Sequence, residues 1–159
     1  MPRANFMMPF WSVLGRPALK ARLRAGLTFG AWTRKGTTDQ AMEIENTKFG
    51  NITIDGKTYE HDVVIRLSGE VIKRKKKLSK KYYGTSHVMS KDEAKFVFEK
   101  GCEQLIVGSG QVGNVHLSPE AEAYFAKKAC KVLLQPTPEA IHVFNKSHAK
   151  KIGLFHVTC

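Results

Sequence analysis

The sequence predicts an α/β fold: three layers around a central mixed sheet, with a β-hairpin ahead of them. Three observations carry this. From Leu105 onward, short aliphatic runs and helical segments alternate in the order strand, helix, strand, helix, strand. Two of the helical segments open on a hydroxyl residue followed by proline, Ser118-Pro119 and Thr137-Pro138, a pairing that suits a helix start. Further upstream, Asp55-Gly56 stands between two β-rich runs, the strongest short signal for a tight antiparallel turn.

Each element has its own justification. Ile52 and Ile54 enter the Asp55-Gly56 turn and Tyr59 leaves it. Residues 61–67 read as a strand around the β-branched run Val63, Val64, Ile65, and Ser68-Gly69 turns the chain. Residues 73–81 are too cationic for a core element and read as a solvated loop. Ser90-Lys91-Asp92-Glu93 has the form of a capping box. The Ser90 hydroxyl would accept the Glu93 N–H while the Glu93 carboxylate reaches back to the Ser90 N–H. Ala94, Val97 and Phe98 supply that helix with an apolar face, and Gly101 ends it. Residues 105–107 form a short buried strand, and 114–117 alternate as an extended segment. Ala121, Tyr124, Phe125 and Lys128 recur at helical spacing, 132–134 form the next strand, and Ile141 and Phe144 face inward from the helix that Thr137 opens. Residues 152–157 form a last strand.

The chain has 159 residues, 42% of them apolar, which suits one soluble domain with a tail. No apolar run approaches the roughly 20 residues that span a bilayer. Net charge is +12, from 26 basic and 14 acidic residues. Residues 1–38 hold no acid, and through Ala41 Asp39 is the only one. That break in composition divides the chain into a basic extension, residues 1–41, expected outside the fold, and a single domain, residues 42–159. In the extension Leu19, Leu23 and Leu27 recur at helical spacing among Lys20, Arg22 and Arg24, with Pro17 limiting the helix. A transit peptide, a membrane-surface anchor and a leader ahead of a start at Met42 all fit, although Ser12 is the one serine there. Cys102, Cys130 and Cys159 are sparse and odd in number, which argues for a reducing compartment rather than a disulfide framework. The expected location is cytoplasmic, or mitochondrial if residues 1–41 are a transit peptide.

Gly108-Ser109-Gly110-Gln111-Val112-Gly113 follows a strand and matches a dinucleotide fingerprint. The fingerprint needs a helix to open inside the glycine turn, whereas the next helix starts at Ser118. The next strand should end on an acid, and it ends on Gln135-Pro136. What remains is a sharp loop whose N–H groups suit a smaller anion. If the strands before loops 108–113 and 135–139 are adjacent and parallel, the loops lie side by side at a helix N-terminus. The candidate ligand or anion site is then Gly108, Ser109, Gly110, Gln111, Gly113, Thr137 and Glu139. A second candidate is the basic run Lys73, Arg74, Lys75, Lys76, Lys77, Lys80 and Lys81, facing nucleic acid or an acidic partner, with Tyr82 and Tyr83 beside it for stacking. No RNA-binding or helix-turn-helix signature accompanies that run.

Thr85-Ser86-His87 puts hydroxyls beside an imidazole, but neighbours in an extended segment face opposite ways, so turn or capping duty is expected. His61, His87, His116, His142, His148 and His156 make no HxxxH or HExxH spacing, and His156 with Cys159 is too little for a metal site. Cys102 and Cys130 read as small buried hydrophobes. No nucleophile, metal or carboxylate constellation is visible, so no catalytic residue, metal or cofactor is expected.

The stretches FGNITIDGKTYEHDVVIRLSGEV, KKKLSKKYYGTSHVMSKDEA, GCEQLIVGSGQVGNVHLS, KVLLQPTPEAIHVFNK and KKIGLFHVTC together resemble the Mth-nine-three-eight-like family, a domain of unknown function, over residues 43–159. The resemblance implies a three-layer α/β fold with a central mixed sheet. Its motifs fall on Gly108, Ser109, Gly110, Gln111 and Gly113 and on Pro136, Thr137, Pro138 and Glu139; where many members carry Thr, this chain has Ser109. Eukaryotic relatives include a mitochondrial assembly factor for respiratory complex I and an adipogenesis-associated protein. The expected role is therefore a non-enzymatic binding or assembly protein with a protein partner. The alternatives are a small-ligand or anion-binding protein or enzyme using the strand-end loops, and a nucleic-acid binder using residues 73–81.

Overall fold

A computed structural model describes residues 42–159; the extension of residues 1–41, with the readings made on it, lies outside the described residues. The described chain runs β1 (Ile44–Lys48), β2 (Asn51–Ile54), β3 (Lys57–Tyr59), β4 (Val63–Ile65), β5 (Val71–Lys73), α1 (Lys77–Tyr83), β6 (Val88–Met89), α2 (Lys91–Val97), β7 (Gln104–Ser109), β8 (His116–Leu117), α3 (Pro119–Lys127), β9 (Lys131–Gln135), α4 (Thr137–Lys146) and β10 (Lys151–His156).

The central sheet has the order β5-β4-β10-β7-β9. Strands β10, β7 and β9 are parallel, and β4 joins β10 antiparallel, so the sheet is mixed. Its inner strands β4, β10 and β7 are buried on both faces because both faces are covered. Side chains alternate, so Val64, Leu105, Val107, Ile152 and Leu154 pack with α2 and α3 on one face. Val63, Ile65, Ile106 and Phe155 pack on the other with α4 and the antiparallel sheet β1-β2-β3. That makes three layers. The Asp55-Gly56 turn forms with positive φ at both residues, 46° and 75°, the type I′ geometry that matches strand twist.

Four local expectations change. Helix α2 ends at Val97 with Phe98 extended as its C-cap, so Gly101 lies beyond the helix rather than ending it. The basic run is a loop only at residues 74–76, for Lys73 ends β5 and α1 begins at Lys77. Helix α1 buries only Ser79, so it carries no apolar stripe for a sequence reading to detect. The capping box forms by half. Ser90 accepts the Glu93 N–H at 3.2 Å, but the Ser90 N–H goes to the Ser79 hydroxyl at 2.8 Å. Thr137 is the first residue of α4 rather than its cap, which is Pro136.

No helix among the described residues is long and apolar enough to cross a membrane.

Candidate functional site

The parallel strands β7, β9 and β10 end together, at Ser109, Gln135 and His156. Loops 108–113 and 135–139 therefore lie side by side, at the strand ends where open α/β sheets gather ligands. Thr137 ties these ends together. Its hydroxyl donates to the His156 carbonyl at 2.8 Å and accepts the Gly110 N–H at 3.0 Å, and its own N–H meets the Gly110 carbonyl at 2.8 Å. Ser109 donates to the Gln135 carbonyl at 2.8 Å. Both hydroxyls are buried and engaged within the protein. Gly108 lies under Phe155 and Thr137, where a Cβ would meet the Phe155 ring at 2.8 Å. The Gln111 amide reaches Thr47 Oγ1 at 3.3 Å. Gly113 turns the loop at φ +80°, and Glu139 is exposed on the first turn of α4.

The glycine loop holds a piece of the chain itself. Gly110 has φ +102°, and a Cβ there would meet the Cys159 carbonyl oxygen at 2.9 Å. The Gln111 N–H donates to that oxygen at 2.6 Å, and the Gly50 N–H donates to Val157 two residues earlier at 2.7 Å. The backbone of residues 157–159 is thus clamped beyond the end of β10, which brings the Cys159 side chain beside the strand ends.

Around that thiol stands a constellation that the sequence reading lacked. Cys159 Sγ is 3.0 Å from His156 Nε2, and His156 Nδ1 is 2.5 Å from Asp62 Oδ2. A second imidazole, His87 Nε2, also stands 3.0 Å from Cys159 Sγ. Asp62 and His156 are each 1% exposed, while Cys159 and His87 are partly open to solvent. The expectation of no nucleophile or metal constellation is corrected here: Asp62 lies 94 residues from His156, so no local spacing could signal the pair. His156 and Cys159 alone looked insufficient because the other members come from the segment after β3 and the loop before β6.

Asp62 is held on every side. Its other oxygen accepts the Val157 N–H at 3.0 Å, and Oδ2 also meets Lys76 Nζ at 3.0 Å and Arg74 Nη1 at 3.3 Å. Burial alone would raise this carboxyl. The hydrogen bond with His156, that from Val157, the His156 charge and Lys76 outweigh it and hold the acid well below the usual carboxylate range. Arg74 has no exposed side-chain surface and bridges inward to Glu93, with Nε at 2.6 Å from Oε1, while Nη2 donates to the Ser86 carbonyl at 2.8 Å. The Ser79 hydroxyl donates to Glu93 as well. Among the described residues no buried side-chain nitrogen or oxygen lacks a partner. His87 is pushed below its ordinary value by burial first, then by the charges of His156, Arg74 and Lys76.

The basic run divides accordingly. Arg74 belongs to this buried network and Lys76 to its edge. Lys75 lies over the Phe96 ring at 4.4 Å, and Lys81 pairs with Asp92 at 2.7 Å. Lys73, Lys77 and Lys80 are exposed. A cleft of about 640 Å³ opens between β5 and the segment before β4; Lys73, Lys75, Lys76 and Lys77 line it, together with Asp62 and Thr158 of the thiol site. Cys102 and Cys130 meet elsewhere in the core, Sγ to Sγ 3.1 Å, as free thiols. The Cys102 sulfur and burial push the Cys130 thiol up.

The family described as "Protein of unknown function (DUF498/DUF598)" matches residues 44–153. A conserved hypothetical protein, PH1505, from Pyrococcus horikoshii OT3 superposes with a TM-score of 0.68 at 35% identity, covering 74% of this chain and 100% of its own. The structure named MT938 does so with a TM-score of 0.63 at 32% identity, covering 75% of this chain and 100% of its own. A Bordetella pertussis protein described as a Mth938-like domain is 15% identical with a TM-score of 0.50, covering 74% of this chain and 86% of its own; that likeness shows the fold alone. No curated protein matches the chain.

Proposed function

The chain belongs to the DUF498/DUF598 family of proteins of unknown function, and on the geometry of its strand-end site we propose that it is a thiol-dependent acyl-transfer or hydrolase protein for a small anionic substrate. The observation that carries this is the line Cys159 Sγ, His156 Nε2, His156 Nδ1, Asp62 Oδ2, with steps of 3.0 and 2.5 Å. Such a line supplies a nucleophile, a base and a group that orients the base. Asp62 as a carboxylate accepts a hydrogen bond from the His156 Nδ1–H, which fixes the tautomer and leaves Nε2 free to accept the thiol proton. The sulfur attacks an acyl carbon, and His156 returns the proton to the departing group as its bond to carbon breaks. A thioester on Cys159 remains. Water, deprotonated by His156, then releases the acid and restores the thiol.

The cleft beside the site supports the anionic character of the substrate. Lys73, Lys75, Lys76 and Lys77 outnumber the one further carboxylate there, Glu60, and the cleft shares Asp62 and Thr158 with the thiol site. On this reading the basic run recruits a small anion rather than nucleic acid, because Arg74 is turned into the core. A working thiol needs a reducing compartment, which supports a cytoplasmic setting and equally a mitochondrial matrix.

The test is acylation of the full chain by p-nitrophenyl acetate, followed by peptide mass spectrometry. Cys159 should acylate before Cys102 and Cys130, and His156→Gln should slow it by about 10²-fold or more. A Cys159 that reacts no faster than free glutathione, or equally fast in His156→Gln, would leave a binding or assembly role as the better account.

A further inference from the structure

A nucleophile paired with a base needs one imidazole, and this site has two. His87 Nε2 stands as close to Cys159 Sγ as His156 Nε2 does, 3.0 Å each. The acyl chemistry proposed above makes no use of His87. The donor atoms of His87, His156 and Cys159 all lie within 4.8 Å of one another. We propose that these three side chains chelate a divalent cation of the zinc type, and that the ion and an acyl group compete for the same sulfur.

The donor set is what such a cation prefers. Two imidazole nitrogens and a thiolate suit borderline-soft divalent ions, and three protein ligands leave a fourth position for water or substrate. The group that would orient one of these ligands is already in place. A histidine ligand is commonly oriented by a carboxylate on its other nitrogen, and Asp62 stands on His156 Nδ1. Asp62 is itself held by Lys76, Arg74 and the Val157 N–H, so it stays behind the imidazole. Within the buried network behind the imidazole, Arg74 and Lys76 are offset by Asp62 and Glu93.

Size is satisfied by a small adjustment. Tetrahedral zinc at ordinary bond lengths separates sulfur from nitrogen by about 3.5 Å, so each present gap must widen by about half an ångström. Cys159 and His87 are both partly exposed, and His87 sits in the segment between α1 and β6. Those two can open without moving the buried Asp62–His156 pair. Binding expels the thiol proton and engages the sulfur lone pair in the metal bond, which removes the nucleophile. Chelation stands apart from the acyl-transfer reading; only the competition rests on it.

Cobalt(II) titration of the chelator-treated full chain tests the chelation. One equivalent should bind and produce a thiolate-to-cobalt charge-transfer band in the near ultraviolet, and zinc(II) should abolish that band. Cys159→Ser should remove the band, and His87→Gln should weaken cobalt binding by about tenfold or more. Zinc should also slow alkylation of Cys159 by iodoacetamide by at least about tenfold. The absence of a band, a band that survives Cys159→Ser, cobalt affinity unchanged in His87→Gln, or alkylation indifferent to zinc would overturn the proposal. Acylation of the metal-free protein reads the nucleophile alone, and the cobalt titration without ester reads the metal alone, so either can fail without the other.

Discussion

Asp62 and Gly110 carry the sharpest consequences at the scale of single residues. The Asp62 carboxyl is lower in the folded protein than in an unfolded chain, because its hydrogen bonds outweigh the cost of burial. A depressed acid binds fewer protons when folded. Its contribution is therefore complete above the ordinary carboxylate range, about pH 4, and is lost as the pH falls below it. Urea midpoints of the chain should drop on acidification from pH 6 to pH 2, and in Asp62→Asn that part of the drop should be absent. Equal slopes in the two proteins would count against Asp62 as the acid-labile group. Gly110 matters through its φ of +102° and the Cys159 carbonyl 2.9 Å from where a Cβ would stand. Gly110→Ala should push residues 157–159 away from the loop and misplace the thiol. Misplacement near one ångström can cost about 10²-fold in rate, so Cys159 acylation should fall by one to two orders of magnitude. The glycines were legible as a sharp loop in the sequence. Their service to a stretch of chain some 50 residues onward was not, because the steric neighbour is a backbone atom whose position only the fold defines.

Among the elements, α4 was legible in its apolar face and misread at its start. Ala140, Ile141 and Phe144 are buried as helical spacing demands. Thr137 looked like a cap because hydroxyl, proline and acid usually mean one. Its hydroxyl instead bridges Gly110 and His156, two strand ends that the sequence keeps apart. Thr137→Val preserves the shape and removes both bonds. It should cost about 1–3 kcal/mol, because the Gly110 N–H and a His156 carbonyl are left short of a partner in the interior. Chemical denaturation with the denaturant dependence unchanged would check this; a cost near zero would mean that water replaces the hydroxyl. Helix α1 illustrates the opposite case. Lys77, Lys80 and Lys81 are exposed, Leu78 is half-buried and Ser79 alone is buried, and its tertiary contacts include Ser79 with Glu93 and Ser90, and Lys81 with Asp92. Composition pointed to a loop because those partners lie on another helix.

For the whole molecule, the remaining expectation is the boundary at Met42. A protein begun at Met42 should unfold at the same temperature as the full chain, since the composition breaks there and the residues 42–159 complete a sheet covered on both faces. A shortened protein that melts many degrees lower would place residues 1–41 in the fold. The sequence by itself determined what depends on neighbours in the chain. The hairpin at Asp55-Gly56, the start of α3 at Ser118-Pro119 and the aliphatic strands β4, β7 and β10 follow from φ preferences, local hydrogen bonds and side-chain periodicity, and these act within a few residues. From them the layered α/β class followed. The tertiary structure decided the chemistry. It ran β10 between β4 and β7 and so brought Asp62 beneath His156, and it turned Arg74 out of a basic run into the core. It also folded residues 157–159 against the glycine loop, where Cys159 meets His156 and His87. Contacts of that range are selected by the packing of the whole sheet, and no local preference encodes them.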